Sequence, residues 1–173
     1  RMVDAARGLL NPYLADVYIF TDAVKGKESG SSPGYGIHLV AETTTGCLIS
    51  AEACADKGEH EANITEPSLS SPEDVGQSAA AALLEEINRG GVVDGMHQRV
   101  SLLLCAMGPE LLNEVRFGPL TPQAVEMLRL LRDFFGVVFD VRPENEHGTV
   151  FLSCIGIGMN NIARKRSEEH TSE

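Results

Sequence analysis

The chain contains no tryptophan, and aromatic residues make up only 5% of its 173 positions. No apolar run approaches the roughly 18 residues of a membrane helix, which excludes a helical membrane-spanning protein. Basic residues are scarce: 14 Lys and Arg stand against 25 Asp and Glu, a formal net charge of −11. That balance excludes a free-standing basic nucleic-acid clamp, while leaving room for local basic patches. Cysteine is sparse. Cys47, Cys54, Cys105 and Cys154 form no CxxC pair, and no Cys/His group has zinc-like spacing. Each lies in an apolar stretch, so all four read as reduced, buried thiols of a cytosolic or nuclear protein, with no disulfide required. A secretory signal is also missing, since nothing shows a basic start followed by an apolar run.

What is present is a foldable pattern. Hydrophobic residues make up 43% of the chain, and Leu, Ile and Val recur at helix and strand spacings. This suffices for one ordinary domain or two small ones. Met2, Ala5, Ala6, Leu9 and Leu10 mark one face of a helix that Pro12 limits. Val17–Thr21 reads as a short buried strand, and Asp22–Gly36 as a loop rich in Gly, Ser, Lys and Pro. Ile37–Thr43 and Cys47–Cys54 read as a hairpin around a Thr-Thr-Gly turn, and Ala55–Ser70 as a polar surface loop.

Ser71, Pro72 and Asp74 announce the next helix: an N-cap, a proline at the first turn and a capping partner. Its apolar face is Val75, Ala79, Ala82, Leu83 and Ile87, and Arg89-Gly90-Gly91 ends it. Another helix is expected over Asp94–Met107, with Met96, Val100, Leu103, Leu104 and Met107 facing inward. Leu111–Phe117 reads as a strand. Thr121-Pro122 caps a helix to about Phe135, with Val125, Leu128, Leu131 and Phe135 on its core side. Val137–Val141 and Thr149–Ile155 close the pattern as a strand pair around a turn from Pro143 to Gly148. The order αβββα, then αβαββ, predicts an α/β (α+β) fold with helices on one face of each sheet.

The ends read differently. Helical periodicity begins at Arg1, which suggests a chain whose start lies upstream. Residues 166–173, Arg-Ser-Glu-Glu-His-Thr-Ser-Glu, resemble the in-frame translation of a sequencing adapter, and are set aside together with His170.

Three stretches carry a resemblance. They are Lys25-Gly26 with Ser29-Gly-Ser-Ser-Pro-Gly-Tyr-Gly36 and Leu39-Val-Ala-Glu-Thr43; Pro72-Glu-Asp-Val-Gly76 with Leu83-Leu-Glu-Glu-Ile87, Arg89-Gly-Gly91 and Val93-Asp94; and Cys154-Ile-Gly-Ile-Gly158. Over residues 1–165 the chain resembles the RNA 3′-terminal phosphate cyclase family, and within it the eukaryotic cyclase-like, ribosome-biogenesis branch. The resemblance implies a C-terminal fragment lacking roughly the N-terminal half. It implies an inserted α/β domain over 1–91, then the last βαβαββ repeat over 92–165 without its first strand, which leaves an unpaired sheet edge.

The resemblance also sets a chemical test. Family cyclases attack the α-phosphate of ATP with a histidine that lies at or just before the start of a helix in the last repeat. A neutral imidazole nitrogen supplies the lone pair. Here the matching segment runs from Val115 to Val125, with Gln123 at the nucleophile position, and no histidine lies between His97 and His147. A carboxamide nitrogen is delocalised into its carbonyl and is not a useful nucleophile. The expectation is therefore a non-cyclising protein with no catalytic residue, no cofactor and no metal. His97, where cyclases carry an acid, reads as a helix cap with Asp94. His38 lies in a strand and His60 and His147 in loops, and none receives a role.

Two surfaces are candidates for contact. Arg129 and Arg132 share one face of the last helix and could grip RNA phosphates or a partner's carboxylates. The alternative is a solvated face with Arg129 paired to Glu126 and Arg132 beside Asp133. Lys25, Lys27, Ser29 and Gly30 begin a Gly/Ser loop whose N–H groups could bind an anion, although it has no P-loop spacing. Gly156-Ile-Gly158 is a weaker match to a nucleotide loop, and Arg164-Lys165 is too short for a localisation argument. By resemblance, the partners are a ribosome-assembly GTPase, pre-rRNA and small-subunit processome components, in the nucleolus and not at a membrane. The competing functions are a true ATP-dependent cyclase working through a histidine–AMP intermediate, and a pre-rRNA endonuclease.

Overall fold

The computed structural model describes residues 1–31, 34–56, 69–144 and 148–160. The 166–173 tail, His60, His147, Arg164-Lys165 and most of the 55–70 loop lie outside the described residues. So do Ser32 and Pro33 of the Gly/Ser loop. Helices and two small antiparallel sheets alternate in the mixed α/β pattern that the periodicity predicts.

The first unit is built from α1 (Met2–Leu10), β1 (Gly36–Glu42), β2 (Leu48–Cys54) and α2 (Pro72–Arg89). β1 and β2 form the expected hairpin, with Leu39 facing Ala51 and Ala41 facing Ile49. Both helices pack on one side of it. Ala6 and Leu10 of α1 meet Ala79, Ala80 and Leu83 of α2 and the buried Leu39, Ile49 and Ala51 of the hairpin. Small residues let the helices approach closely. A Cβ added at Gly76 would lie 2.2 Å from the Met2 carbonyl oxygen. α2 begins as its local chemistry dictates: the Ser71 hydroxyl accepts the Asp74 N–H at 3.2 Å and donates to the Asp74 carboxylate at 2.6 Å.

The expected strand at Val17–Thr21 is a correction. The segment alternates as a strand would: Val17 and Ile19 pack on the first core while Tyr18 and Phe20 stay exposed. Its backbone, however, joins no ladder. A two-residue alternation fixes side-chain direction but does not supply a hydrogen-bonding neighbour.

The second unit holds α3 (Gln98–Met107), β3 (Leu112–Phe117), α4 (Pro122–Phe135), β4 (Asp140–Glu144) and β5 (Thr149–Ile155). β5 lies between β3 and β4, antiparallel to both. Phe117, Leu152, Cys154, Leu102, Ala106, Ala124 and Leu131 form its core. Across the sheet's other face, Arg116 of β3 reaches over β5 to Glu144 of β4 with Nε–Oε2 at 2.8 Å and Nη2–Oε1 at 3.1 Å. The Thr149 hydroxyl donates to the same carboxylate at 2.7 Å.

Four expectations change here. α3 starts at Gln98 rather than Asp94, because Asp94–His97 closes a turn first, with the His97 N–H donating to the Asp94 carbonyl at 3.2 Å. Its buried face is Gln98, Leu102 and Ala106, while Met96, Val100 and Leu104 are more than half exposed. Gln98 can occupy the core because both ends of its amide are satisfied. The last strand pair is also displaced: β4 covers 140–144, so Pro143 and Glu144 belong to a strand and not to the turn. Proline is tolerated there because β4 is an edge strand. On α4, Leu131 is buried as predicted, but Phe135 is 38% exposed.

The two units join tightly. Gly91 (φ +92°) forms a bridge with Phe117, and a Cβ on Gly91 would stand 2.3 Å from the Gly118 nitrogen. Only glycine combines this backbone angle with this approach.

Candidate functional site

The N-terminal ends of α3 and α4 meet through one side chain. Gln98 is 2% exposed. Its Nε2 donates to the Pro119 carbonyl at 3.1 Å, and its Oε1 accepts the Thr121 N–H at 2.9 Å. Thr121 then caps α4 by accepting the Ala124 N–H at 3.1 Å. The start of α4 is thus anchored from α3. Gln123 sits exposed on that first turn, and its carboxamide makes no hydrogen bond among the described residues.

Asp94, expected only to cap a helix with His97, does more. It is 3% exposed and accepts four hydrogen bonds. Oδ2 takes the Ser50 N–H at 2.9 Å and the Ser50 hydroxyl at 3.0 Å. Oδ1 takes the His97 N–H at 3.1 Å and lies 2.8 Å from His97 Nδ1. Burial alone would raise the carboxyl's pKa. The hydrogen bonds from Ser50 and His97 outweigh it and hold the group below its ordinary value. A carboxylate can only accept, so Nδ1 carries the proton.

Ser50, Asp94 and His97 have the composition of a catalytic triad without its geometry. The serine hydroxyl points at the aspartate, and the imidazole is not placed to take its proton. The group instead ties β2 of the first unit to the turn before α3. Glu86 of α2 adds a second tie, accepting the Gly95 N–H at 2.8 Å.

The other candidates separate. Arg132 pairs with the neighbouring Asp133 at 2.9 Å. Arg129 is exposed and forms no ion pair among the described residues, so the expected Glu126 partner is not engaged. The Lys25–Gly30 loop contains a short 3₁₀ turn, Gly26–Ser29, closed by the Ser29 hydroxyl on the Gly26 carbonyl at 2.7 Å. Lys25, Lys27, Ser29 and Gly30 are all exposed, and nothing draws them toward Arg129 or Arg132.

Gly156-Ile-Gly158 has a structural use. The N–H groups of Ile157, Gly158 and Met159 donate to the carbonyls of Ala106, Gly108 and Met107 at 2.7 to 3.1 Å. They cap the end of α3 and have no donors left for a phosphate.

The thiols also depart from expectation. Cys154 is buried, Cys47 and Cys105 are half-buried, and Cys54 is exposed. Burial pushes the Cys154 thiol up to about 11, with Cys105 nearby adding to the effect. Among the described residues no cluster of His, Cys, Asp or Glu is arranged to hold a metal ion, and no helix is long and apolar enough to cross a membrane.

Comparison with known proteins gives these observations a class. The insert domain of RNA 3′-terminal phosphate cyclase (RTC) matches residues 1–88, which cover α1, the hairpin and nearly all of α2. A probable RNA 3′-terminal phosphate cyclase-like protein of Dictyostelium discoideum is 48% identical over 168 residues, covering 95% of this chain and 45% of its own length. The human RNA 3′-terminal phosphate cyclase-like protein is 42% identical over 170 residues, covering 95% and 44%. The rRNA processing protein rcl1 of Schizosaccharomyces pombe is 41% identical over 167 residues, covering 95% and 43%. The insert-domain match places the chain in the RNA 3′-terminal phosphate cyclase (RTC) family, and the chain spans less than half the length of these cyclase-like relatives.

Proposed function

We propose that the chain is part of a non-cyclising ribosome-biogenesis factor. In this reading the whole protein works in the nucleolus, within the small-subunit processome, in early pre-rRNA processing, and binds a ribosome-assembly GTPase. Residues 1–91 form the inserted domain and 92–165 the last repeat. One observation carries the reading. Gln123 lies on the first turn of α4, the segment where the resemblance puts the cyclase histidine, and α4 has no histidine at all. Without that lone pair no bond to phosphorus forms, so the loss is categorical. Similarity to the fission-yeast rRNA processing protein supports the processing role.

Arg129 and Arg132 are the residues offered to RNA or to a partner protein. Among the described residues the Arg129 guanidinium has no ion-pair partner, and on the exposed side of α4 it is a planar donor suited to phosphate or carboxylate. The Lys25–Gly30 loop remains a secondary anion contact.

Two experiments test this. The complete protein incubated with labelled ATP forms no covalent adenylate; an acid-labile, histidine-linked AMP adduct overturns the reading. In cells relying on the complete protein, Arg129→Ala with Arg132→Ala impairs early pre-rRNA cleavage without lowering protein abundance. If cleavage fails while the GTPase still binds, α4 acts on RNA; if GTPase binding fails as well, α4 is a docking face.

A further inference from the structure

The first unit has a groove with an open main-chain wall on each side. Hydrogen bonds in the β1–β2 hairpin run through the odd-numbered residues of β1. The Thr43 N–H donates to the Cys47 carbonyl at 2.9 Å, and the Ala55 N–H to the Tyr35 carbonyl at 2.8 Å. In an antiparallel pair the intervening residues turn their N–H and C=O groups the other way. Gly36, His38, Val40 and Glu42 therefore direct their backbone groups away from β2. Facing them is the extended segment 15–22, which makes no backbone–backbone hydrogen bond among the described residues. Between these walls is a groove of about 1100 Å³.

Its lining is chemically one-sided. Leu14, Val17 and Ile19 contribute apolar surface. Asp16, Asp22 and Glu42 contribute carboxylates, no Lys or Arg lines it, and none of the three acids is in an ion pair among the described residues. Unpaired strand edges take up another strand, because each main-chain group there still has a hydrogen bond to make.

We propose that this groove binds an extended, basic peptide segment of a partner protein by strand addition. The segment's backbone pairs with β1, alternate apolar side chains enter the groove, and the Lys or Arg residues between them meet Asp16, Asp22 and Glu42. RNA is disfavoured because those carboxylates repel phosphate. The inference stands apart from the rRNA-processing reading, since it rests on the hairpin and not on α4.

The test uses the complete chain and two capped synthetic peptides, Lys-Val-Lys-Val-Lys-Val-Lys and its Glu-for-Lys counterpart. Anisotropy measures binding, and residue-resolved hydrogen exchange follows the amides of His38, Val40 and Glu42. The lysine peptide is expected to bind at least tenfold more tightly than the glutamate peptide and to slow exchange at these three amides at least tenfold. Val40→Pro removes one outward donor while sparing the hairpin ladder, and weakens binding at least tenfold. Circular dichroism checks that this variant folds. The triple change Asp16→Asn, Asp22→Asn, Glu42→Gln leaves the backbone intact and abolishes the preference for lysine. The proposal is overturned if neither peptide binds or if both bind alike. It is overturned equally if the three amides are already protected in the free chain, since segment 15–22 would then have closed onto β1 itself.

Discussion

Replacing Asp94 with alanine removes one buried carboxylate that accepts from two parts of the fold. Four donors converge on it: the Ser50 N–H and hydroxyl, the His97 N–H and the His97 ring. The hydroxyl can rotate toward other partners, and the ring is 56% exposed and can turn to water. That exposure also means the imidazole's charge adds little. The His97 N–H keeps the Asp94 carbonyl at 3.2 Å, whereas the Ser50 N–H cannot turn to another partner. An unmet buried donor costs about 1–3 kcal/mol, so the expected loss for Asp94→Ala, with the Ser50 N–H stranded, is about 2–3 kcal/mol. Asp94→Asn keeps the shape but turns one acceptor into a donor, and should lose about 2 kcal/mol.

The pH dependence has a definite sign. The folded-state pKa lies below the ordinary aspartate value of 3.8. The stabilisation is therefore fully present above that value and fades as pH falls through the folded-state pKa. Urea unfolding of wild type and Asp94→Asn between neutral and acid pH should show two stability curves converging in acid. A loss below about 1 kcal/mol for the alanine variant at neutral pH would refute the hydrogen-bond accounting, since the stranded Ser50 amide should cost at least that.

Other outcomes follow from local geometry. Gly76→Ala should destabilise by about 1–3 kcal/mol in urea melts, because its Cβ would meet the Met2 carbonyl oxygen at 2.2 Å. Gly8→Ala, on α1 with nothing within 4 Å of the new Cβ, should stabilise by about 0.5–1 kcal/mol. A neutral-pH iodoacetamide time course read by peptide mass should label exposed Cys54 early and Cys154 last, given its burial and a pKa near 11. Glu144→Gln should cost about 0.5–1 kcal/mol at low salt and less at high salt, because its Arg116 partner is half exposed.

Elements announced by local chemistry were legible. Ser71-Pro72 and Thr121-Pro122 mark both long-helix starts because a cap and a first-turn proline act within a few residues. What depended on distant partners was not. The stripe Met96, Val100, Leu104 is more apolar than Gln98, Leu102, Ala106, so periodicity alone chose the wrong face of α3. Only the Pro119 carbonyl and the Thr121 N–H make a glutamine acceptable inside. Val17–Phe20 has strand alternation, yet a neighbour to pair with is a tertiary fact. Asp94 could be read as a cap because His97 is three residues away, whereas its bonds to Ser50 span 44 positions. Gln123 was placed by resemblance, and the fold adds that it stands exposed at a helix start held by Gln98.

The segment after β5 has a consequence for synthesis. The last carbonyls of α3 stay open to water until residues 157–159 arrive to receive them. β5, the central strand of its sheet, is also made last. On an emerging chain, α1, the hairpin and α2 can assemble while the second unit waits for its final fifteen or so described residues. Translation that halts just short of Met159 would leave a finished first half beside an unclosed second one, with the apolar side of α3 open to chaperones.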